Sequence, residues 1–249
     1  MTITAPVRSQ AAIRAVPTTG STNDDVVALA RAGAGEGIWV RADVQTGGRG
    51  RLGRSWVSPP GNLYASTLVR LVPGDPAGAT LALVAAVALE ELIGALAGRD
   101  RVKIKWPNDL LLRTGPTWCK LSGILLERAD DAIVIGIGVN LAHYPADLDR
   151  PVASLAAAGI DPPAPSDFAV DLADAFARWL SRWRGEGLAP VRRRWLERAH
   201  PIGTALVARQ ADGSAIEGLF DGLAEDGALR LRLADGGVHV MHAGDVFLL

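Results

Sequence analysis

The stretch from Val102 to Leu141 limits the possible folds more than any other part of the chain. It reads as strands in quick succession: VKIKW (102–106), LLLR (110–113), WCKLSGILLER (118–128) and DAIVIGIGVNL (131–141). Parallel neighbours need a crossover of about a dozen residues or more. These joins are far shorter, so antiparallel pairing is expected. No strand–helix alternation carries a glycine fingerprint, which argues against a Rossmann unit.

Further elements flank this sheet. IWVRADVQ (38–45) reads as a strand, and so does the alternating NLYASTLVRL (62–71). Ser21-Thr22 ahead of Asn23-Asp24-Asp25 and VVALARAG predicts an N-capped helix ending at Gly33. Apolar residues crowd Thr80 to Ala97, predicting a long, largely buried helix. Beyond Pro151 the chain is loose, with DPPAPS as a linker. Ser166 is read as the cap of a helix whose Phe168, Leu172, Phe176, Trp179, Leu180 and Trp183 form one core-packing face. VRRRWLERA (191–199) gives a shorter helix. From Pro201 onward, TALVAR, SAIEGLF, ALRLRL and VHVMHAGDVFLL are short strands between ADG, EDG and ADGG turns, predicting a small barrel. The expected fold is α+β, in two parts. Residues 1–200 form a mixed, largely antiparallel sheet with helices on one face, and residues 201–249 a small all-β barrel.

Composition excludes several functions. The formal net charge is -1, so nothing global favours nucleic acid or a membrane surface. No uninterrupted apolar run approaches twenty residues, and MTITAPVRSQ is no signal peptide. The single cysteine, Cys119, excludes an internal disulfide and a cysteine-based zinc site, and suits a reducing cytoplasm. Of His143, His200, His239 and His242 only the last two have ligand-like spacing, and their alternating strand pattern suits surface residues.

Residue bias is more informative. Arginine is common, but the lysines are only Lys103, Lys105 and Lys120, and the asparagines only Asn23, Asn62, Asn108 and Asn140. They fall in STND, GNLY, KIKWPND, CKLSG and GVNL. Either strands and turns drew them by chance, or these stretches form a site where a compact ammonium cannot be replaced by a planar guanidinium.

TGGRGRLGRSW (46–56) has four glycines and three arginines, and no carboxylate lies between Asp43 and Asp75. Glycine lets backbone N–H groups turn toward an anion, and arginine adds forked donors. Such a loop suits a lid over a ligand or an RGG-like nucleic-acid segment; the flanking Trp56 and strand favour the lid. In KIKWPNDL, Lys103 and Lys105 share one strand face. Asn108 and Asp109 follow Pro107 at a turn, where they either face a cleft and orient phosphates and a metal ion or form a surface ion pair. Lys120 among Trp118, Leu121, Ile124 and Leu125 needs an anionic partner, unless it snorkels from an edge strand. The glycines of GIGVN permit close approach of a ligand, and Asn140 offers an amide.

The ordered motifs STN, QxxGRGRxGRxW, SPxGNLY, KWPNDL, KxxGIL and GIGxN closely resemble the biotin protein ligase family from Thr18 to Leu141, and the C-terminal part resembles it more loosely. The resemblance implies a catalytic domain of the class II synthetase and biotin-ligase type. It implies two steps: biotin and ATP, with Mg2+, give biotinyl-5'-adenylate, and a lysine of a biotin carboxyl carrier protein then takes the biotin. It implies biotin ligands at Ser21, Thr22, Asn23, Gln45, Gly48, Arg49, Gly50, Arg51, Trp56, Lys120 and Gly123. Arg49, Arg51, Arg54, Asn108, Lys120 and Asn140 are implied for ATP and the adenylate. Lys120, Arg51, Lys105 and Asp109 are implied for catalysis, with Asp109 as metal ligand.

Members of the repressor type carry a winged helix before STN. About twenty residues precede it here, so a monofunctional cytoplasmic ligase without DNA or membrane binding is expected. Gly20 replaces the acidic or Ser residue often found before STN, and RTGPTW (113–118) lengthens the hairpin before Lys120. The oligomeric state is left open. A lipoate or octanoate ligase of similar fold is the nearest alternative. A nucleic-acid or nucleotide-binding module is a second, opposed by Asp212, Glu217, Asp221, Glu225 and Asp226 outnumbering Arg209, Arg230 and Arg232 in the barrel.

Overall fold

The structure, a computed structural model, describes residues 12–248 except 147, 149, 211 and 212; the expectations on Asp212, residue 249 and the first eleven residues lie outside it. A seven-stranded sheet comes first. Its strands are β1 (Ala12–Thr19), β2 (Ile38–Gln45), β3 (Leu63–Arg70), β4 (Val102–Lys105), β5 (Asp109–Thr114), β6 (Thr117–Ala129) and β7 (Ala132–Val139), in the order β1-β2-β3-β7-β6-β5-β4. Every neighbouring pair from β2 to β4 is antiparallel, as the short joins require. β1 is a strand the sequence pattern did not disclose. It pairs parallel with β2 across helix α1 (Thr22–Arg31), so one βαβ unit exists after all, without a glycine fingerprint.

Helices cover both faces, not one. Helices α2 (Leu81–Ala97), α3 (Pro165–Glu186) and α4 (Ala189–Arg198) pack on one side, burying Leu81, Val84, Trp183 and Trp195 against Leu63, Ile104, Ile124 and Ile135. α1 lies on the other, with Val26 and Ala30 against Val40, Leu68 and Val134. Covered twice, β3 is buried from Leu63 to Val69 and does not alternate. The segment Gly78–Ala97 is long and apolar enough to cross a membrane, and most of it is buried inside the fold. Glu90, fully buried on α2, is paired with Arg194 at 2.8 Å and Arg198 at 2.6 Å, which ties α2 to α4.

Ser21 occupies the N-cap position of α1 in extended conformation, but its side chain makes no capping bond; the helix ends at Arg31 and Gly33 takes the positive φ that follows. Ala164, not Ser166, caps α3. The C-terminal strands are β8 (Ala205–Arg209), β9 (Ala215–Leu223), β10 (Leu229–Arg232), β11 (Val238–Met241) and β12 (Asp245–Leu248). They form an antiparallel sheet in the order β11-β10-β9-β8-β12. Among the described residues no ladder joins β11 to β12, so the expected barrel is an open sheet.

Candidate active site

A cleft of about 880 Å³, partly open to solvent, lies on the α1 side of the large sheet. Its floor is β6 and β7. There the strands carry Gly123, Gly136 and Gly138 because side chains from elsewhere need the space. A Cβ on Gly138 would sit 2.7 Å from the Trp56 indole, and one on Gly136 would sit 2.8 Å from Asn23 Cγ. The expected close approach is thus made by the protein's own Trp56 and Asn23.

The end of the cleft beside α1 is a hydrogen-bond network of amides and hydroxyls that ends on one carboxylate, Glu127. Gln45 Oε1 accepts from the Thr22 backbone N–H at 2.9 Å, and its amide nitrogen donates to Ser58 Oγ at 3.1 Å. Thr22 Oγ1 and Ser66 Oγ are 2.7 Å apart, and Ser66 donates to Asn23 Oδ1 at 2.7 Å. Asn23 Nδ2 donates to Glu127 at 2.5 Å. These bonds fix which atom of each amide accepts. Ser21, Thr22, Asn23 and Ser66 are all buried.

The other end is cationic. β6 carries an extra residue here: Leu110 faces Ser122 and Leu111 faces Lys120, so Leu121 bulges between them. A bulge reverses the facing of residues beyond it. Leu121 turns into the core and Lys120 turns into the cleft, on the side of Gly123 and Asp109. The supposed long hairpin before Lys120 is in fact tight, since Thr114 pairs with Thr117. Lys120 bonds the buried carboxylate of Asp109, and Lys105 Nζ is 3.3 Å from it. Burial pushes the Asp109 carboxyl upward, but the two ammonium groups outweigh it and hold it below the usual range. Burial lowers the Lys120 ammonium against the pull of Asp109.

In this structure Asp109 is paired with lysines rather than grouped with other metal-binding side chains. Its oxygens already face two ammonium groups, and among the described residues no three His, Cys, Asp or Glu cluster to hold a metal ion.

The arginine loop closes one side. Arg49 is forked onto Asp24 at 2.8 and 2.5 Å, with Glu127 at 3.3 Å. Arg51 donates to Gly244 O at 3.0 Å and lies 3.3 Å from Asp245, which Arg54 also bonds. Trp56 lies over Gly138 with Lys120 Nζ 5.6 Å from its ring, and its indole N–H is buried without a partner. Asn108 donates to Ile124 O at 2.6 Å.

Of the expected site residues, Ser21, Thr22, Asn23, Gln45, Arg49, Gly50, Arg51, Arg54, Trp56, Lys105, Asn108, Asp109, Lys120 and Gly123 line this cleft. Gly48 does not; its carbonyl accepts from the Trp56 N–H at 2.9 Å, and a Cβ there would meet Trp56 O at 2.5 Å. Asn140 is placed elsewhere too. Buried, it donates to Ala153 O at 3.1 Å and fastens the chain after β7, outside the lining of the cleft. Missed altogether were Arg150, one arginine among many, and Asp245, Val246 and Phe247 of β12. Lys105 Nζ donates to Val246 O at 2.9 Å and sits 5.7 Å from the Phe247 ring, so the C-terminal sheet walls the cationic end.

Residues 17–140 match the family described as biotin/lipoate A/B protein ligase, and residues 205–249 match the biotin protein ligase C-terminal domain. The chain is 39% identical over 246 residues to a biotin–[acetyl-CoA-carboxylase] ligase of Paracoccus denitrificans, covering 92% of this chain and 97% of that one. It is 32% identical to one of Mycobacterium tuberculosis over 93% of this chain and 86% of that one. Its fold is similar to a biotin protein ligase of Aquifex aeolicus in complex with biotin and ATP, at a TM-score of 0.83 and 21% identity, covering 96% and 99% of the two chains.

Proposed function

We infer the function from the premise that this chain belongs to the biotin/lipoate A/B protein ligase family: it is an ATP-dependent biotin–[acetyl-CoA-carboxylase] ligase. One observation carries the assignment of roles. The cleft joins a fixed, uncharged set of donors and acceptors to a cationic end through a buried lysine. That polarity suits a ligand with a neutral polar ring at one end and a carboxylate joined to phosphate at the other.

In this reading Ser21, Thr22, Asn23 and Gln45 take the ureido ring, and Trp56 walls the aliphatic tail. Lys120 meets the carboxylate and the α-phosphate. A carboxylate oxygen attacks the α-phosphorus, the bond to the bridging oxygen breaks, and pyrophosphate leaves with the electron pair. Lys120 is held where charge is shared between attacking carboxylate and phosphoryl oxygen, in a site whose burial strengthens that attraction. Asp109 keeps Lys120 aimed and releases it to the substrate anion. Arg49, Gly50, Arg51 and Arg54 cover the adenylate and keep water from the anhydride. Asn108 and Lys105 serve the nucleotide end, and Mg2+ arrives with the ATP phosphates. The acceptor is the lysine of a biotin carboxyl carrier protein, and no DNA is bound.

Mass spectrometry of small molecules after mixing the protein with biotin, ATP and Mg2+, beside lipoate and octanoate, tests this. Biotinyl-adenylate in the first mixture alone is expected. An adenylate of lipoate or octanoate alone would reassign the substrate, because an apolar acid has no use for the amide and hydroxyl network.

A further inference from the structure

Arg150 lines the cationic end of the cleft. It stands at the start of a segment pinned beside Lys120: the Lys120 N–H donates to Pro151 O at 2.9 Å, the Ala153 N–H donates to Lys120 O at 3.0 Å, and Lys120 bridges Val152. Its charge acts on both Asp109 and Lys120. Every other cation lining the cleft has a carboxylate partner: Arg49 has Asp24, Arg51 and Arg54 have Asp245, and Lys105 and Lys120 have Asp109. Among the described residues Arg150 has none, although it is only half-exposed and its charge adds to a site already rich in cations. An arginine brought to such a place without a counterion is matched to an anion that comes and goes.

We propose that Arg150 binds the polyphosphate chain of the nucleotide and stabilises pyrophosphate as it departs. The proposal rests on the ligase reading. When the carboxylate oxygen bonds to the α-phosphorus, the phosphorus–oxygen bond to the β-phosphate breaks and its electron pair stays on pyrophosphate. Negative charge therefore gathers on the leaving group in the first step only. In the second step the acceptor amine attacks the acyl carbon, AMP leaves, and no pyrophosphate is involved. Arg150 thus serves adenylation and not transfer.

The test separates the two steps in the full chain. Exchange of labelled pyrophosphate into ATP, with biotin and Mg2+, reports the first. Biotin transfer from supplied biotinyl-adenylate to a purified carrier protein reports the second. Arg150→Ala should lower exchange about 10- to 100-fold, the worth of one charge-assisted hydrogen bond. It should weaken inhibition by added pyrophosphate to match, and leave transfer within about twofold. Arg150→Lys, which keeps charge but loses the fork, should fall between and covers the case that Arg150→Ala does not fold. Exchange within twofold of the parent in both variants overturns the proposal, and so does an equal loss in both steps, which would mark a structural role. Absence of biotin-dependent exchange in the parent protein would instead sink the ligase reading itself.

Discussion

At the α1 end of the cleft, Thr22, Asn23, Gln45 and Ser66 hold one another through uncharged bonds between regular elements, over two glycines with no room for a side chain. At the other end, Arg51, Arg54, Lys105 and Lys120 meet two carboxylates, Arg150 stands beside them with none among the described residues, and the wall is borrowed from the C-terminal sheet. The first end is a lock: its dipoles are fixed before any ligand arrives, so little rearrangement accompanies binding. The second is an exchanger: its cations rest on internal acids and can be handed to phosphate. A ligand group that never changes charge can be met by a rigid surface, while one that gathers charge during reaction is met by groups with a resting partner.

The largest effect should come from breaking the joint between the ends. Lys120→Met leaves Asp109 with Lys105 alone and removes the charge at the reacting atoms; biotin-dependent pyrophosphate exchange should fall by about a thousandfold, measured on protein whose melting confirms it is folded. Damage to the lock should appear in biotin binding first. Gly136→Ala pushes the Asn23 amide off its partners, and calorimetry should find biotin held about 100-fold more weakly, roughly 3 kcal/mol. Unchanged affinity would mean that Asn23 is no ligand.

Acid should loosen the exchanger's wall before the lock. His200 lies at the junction of the two sheets, where burial, aided by Lys103 and Lys105, pushes its imidazole down to about 4. Its depressed value means that the unfolded chain takes the proton more readily. Stability from this group is full above about pH 6.5 and declines as pH falls toward 4; at pH 5 roughly 2 kcal/mol is gone. Denaturant melts of the parent and of His200→Gln should differ in slope over that window. The smallest effect belongs to Asp245→Asn, which removes the resting partner of Arg51 and Arg54. Release of biotinyl-adenylate should quicken about tenfold, with biotin affinity within twofold.

The sequence disclosed the α1 end and the lysines and loop arginines of the other end better than the wall that closes it, for a physical reason. STND, the GRGRLGR loop, the clustered lysines and the glycines of β7 are unusual residue combinations at close spacing, so short motifs mark them. β12 reaches the cleft from about 190 residues beyond the loop and Arg150 from an irregular segment, so no local pattern marks them. Asp245 is an ordinary acid until folding sets it between two arginines. Asn140 errs the other way: its motif pointed to ligand contact, and tertiary structure spent its amide on Ala153. β1 escaped notice because AIRAVPTT is half-exposed, edge-placed and interrupted by proline.

Leu121 makes strand length itself a carrier of chemistry. β6 is a ruler with one surplus mark, and everything before that mark is read in the opposite phase. Were β6 a regular strand with every residue laddered, Leu121 would face the cleft and Lys120 the hydrocarbon interior; the surplus residue is what keeps the ammonium in the site. The identity of Lys120 is written in its codon, but its function is written in the count of residues that follow it.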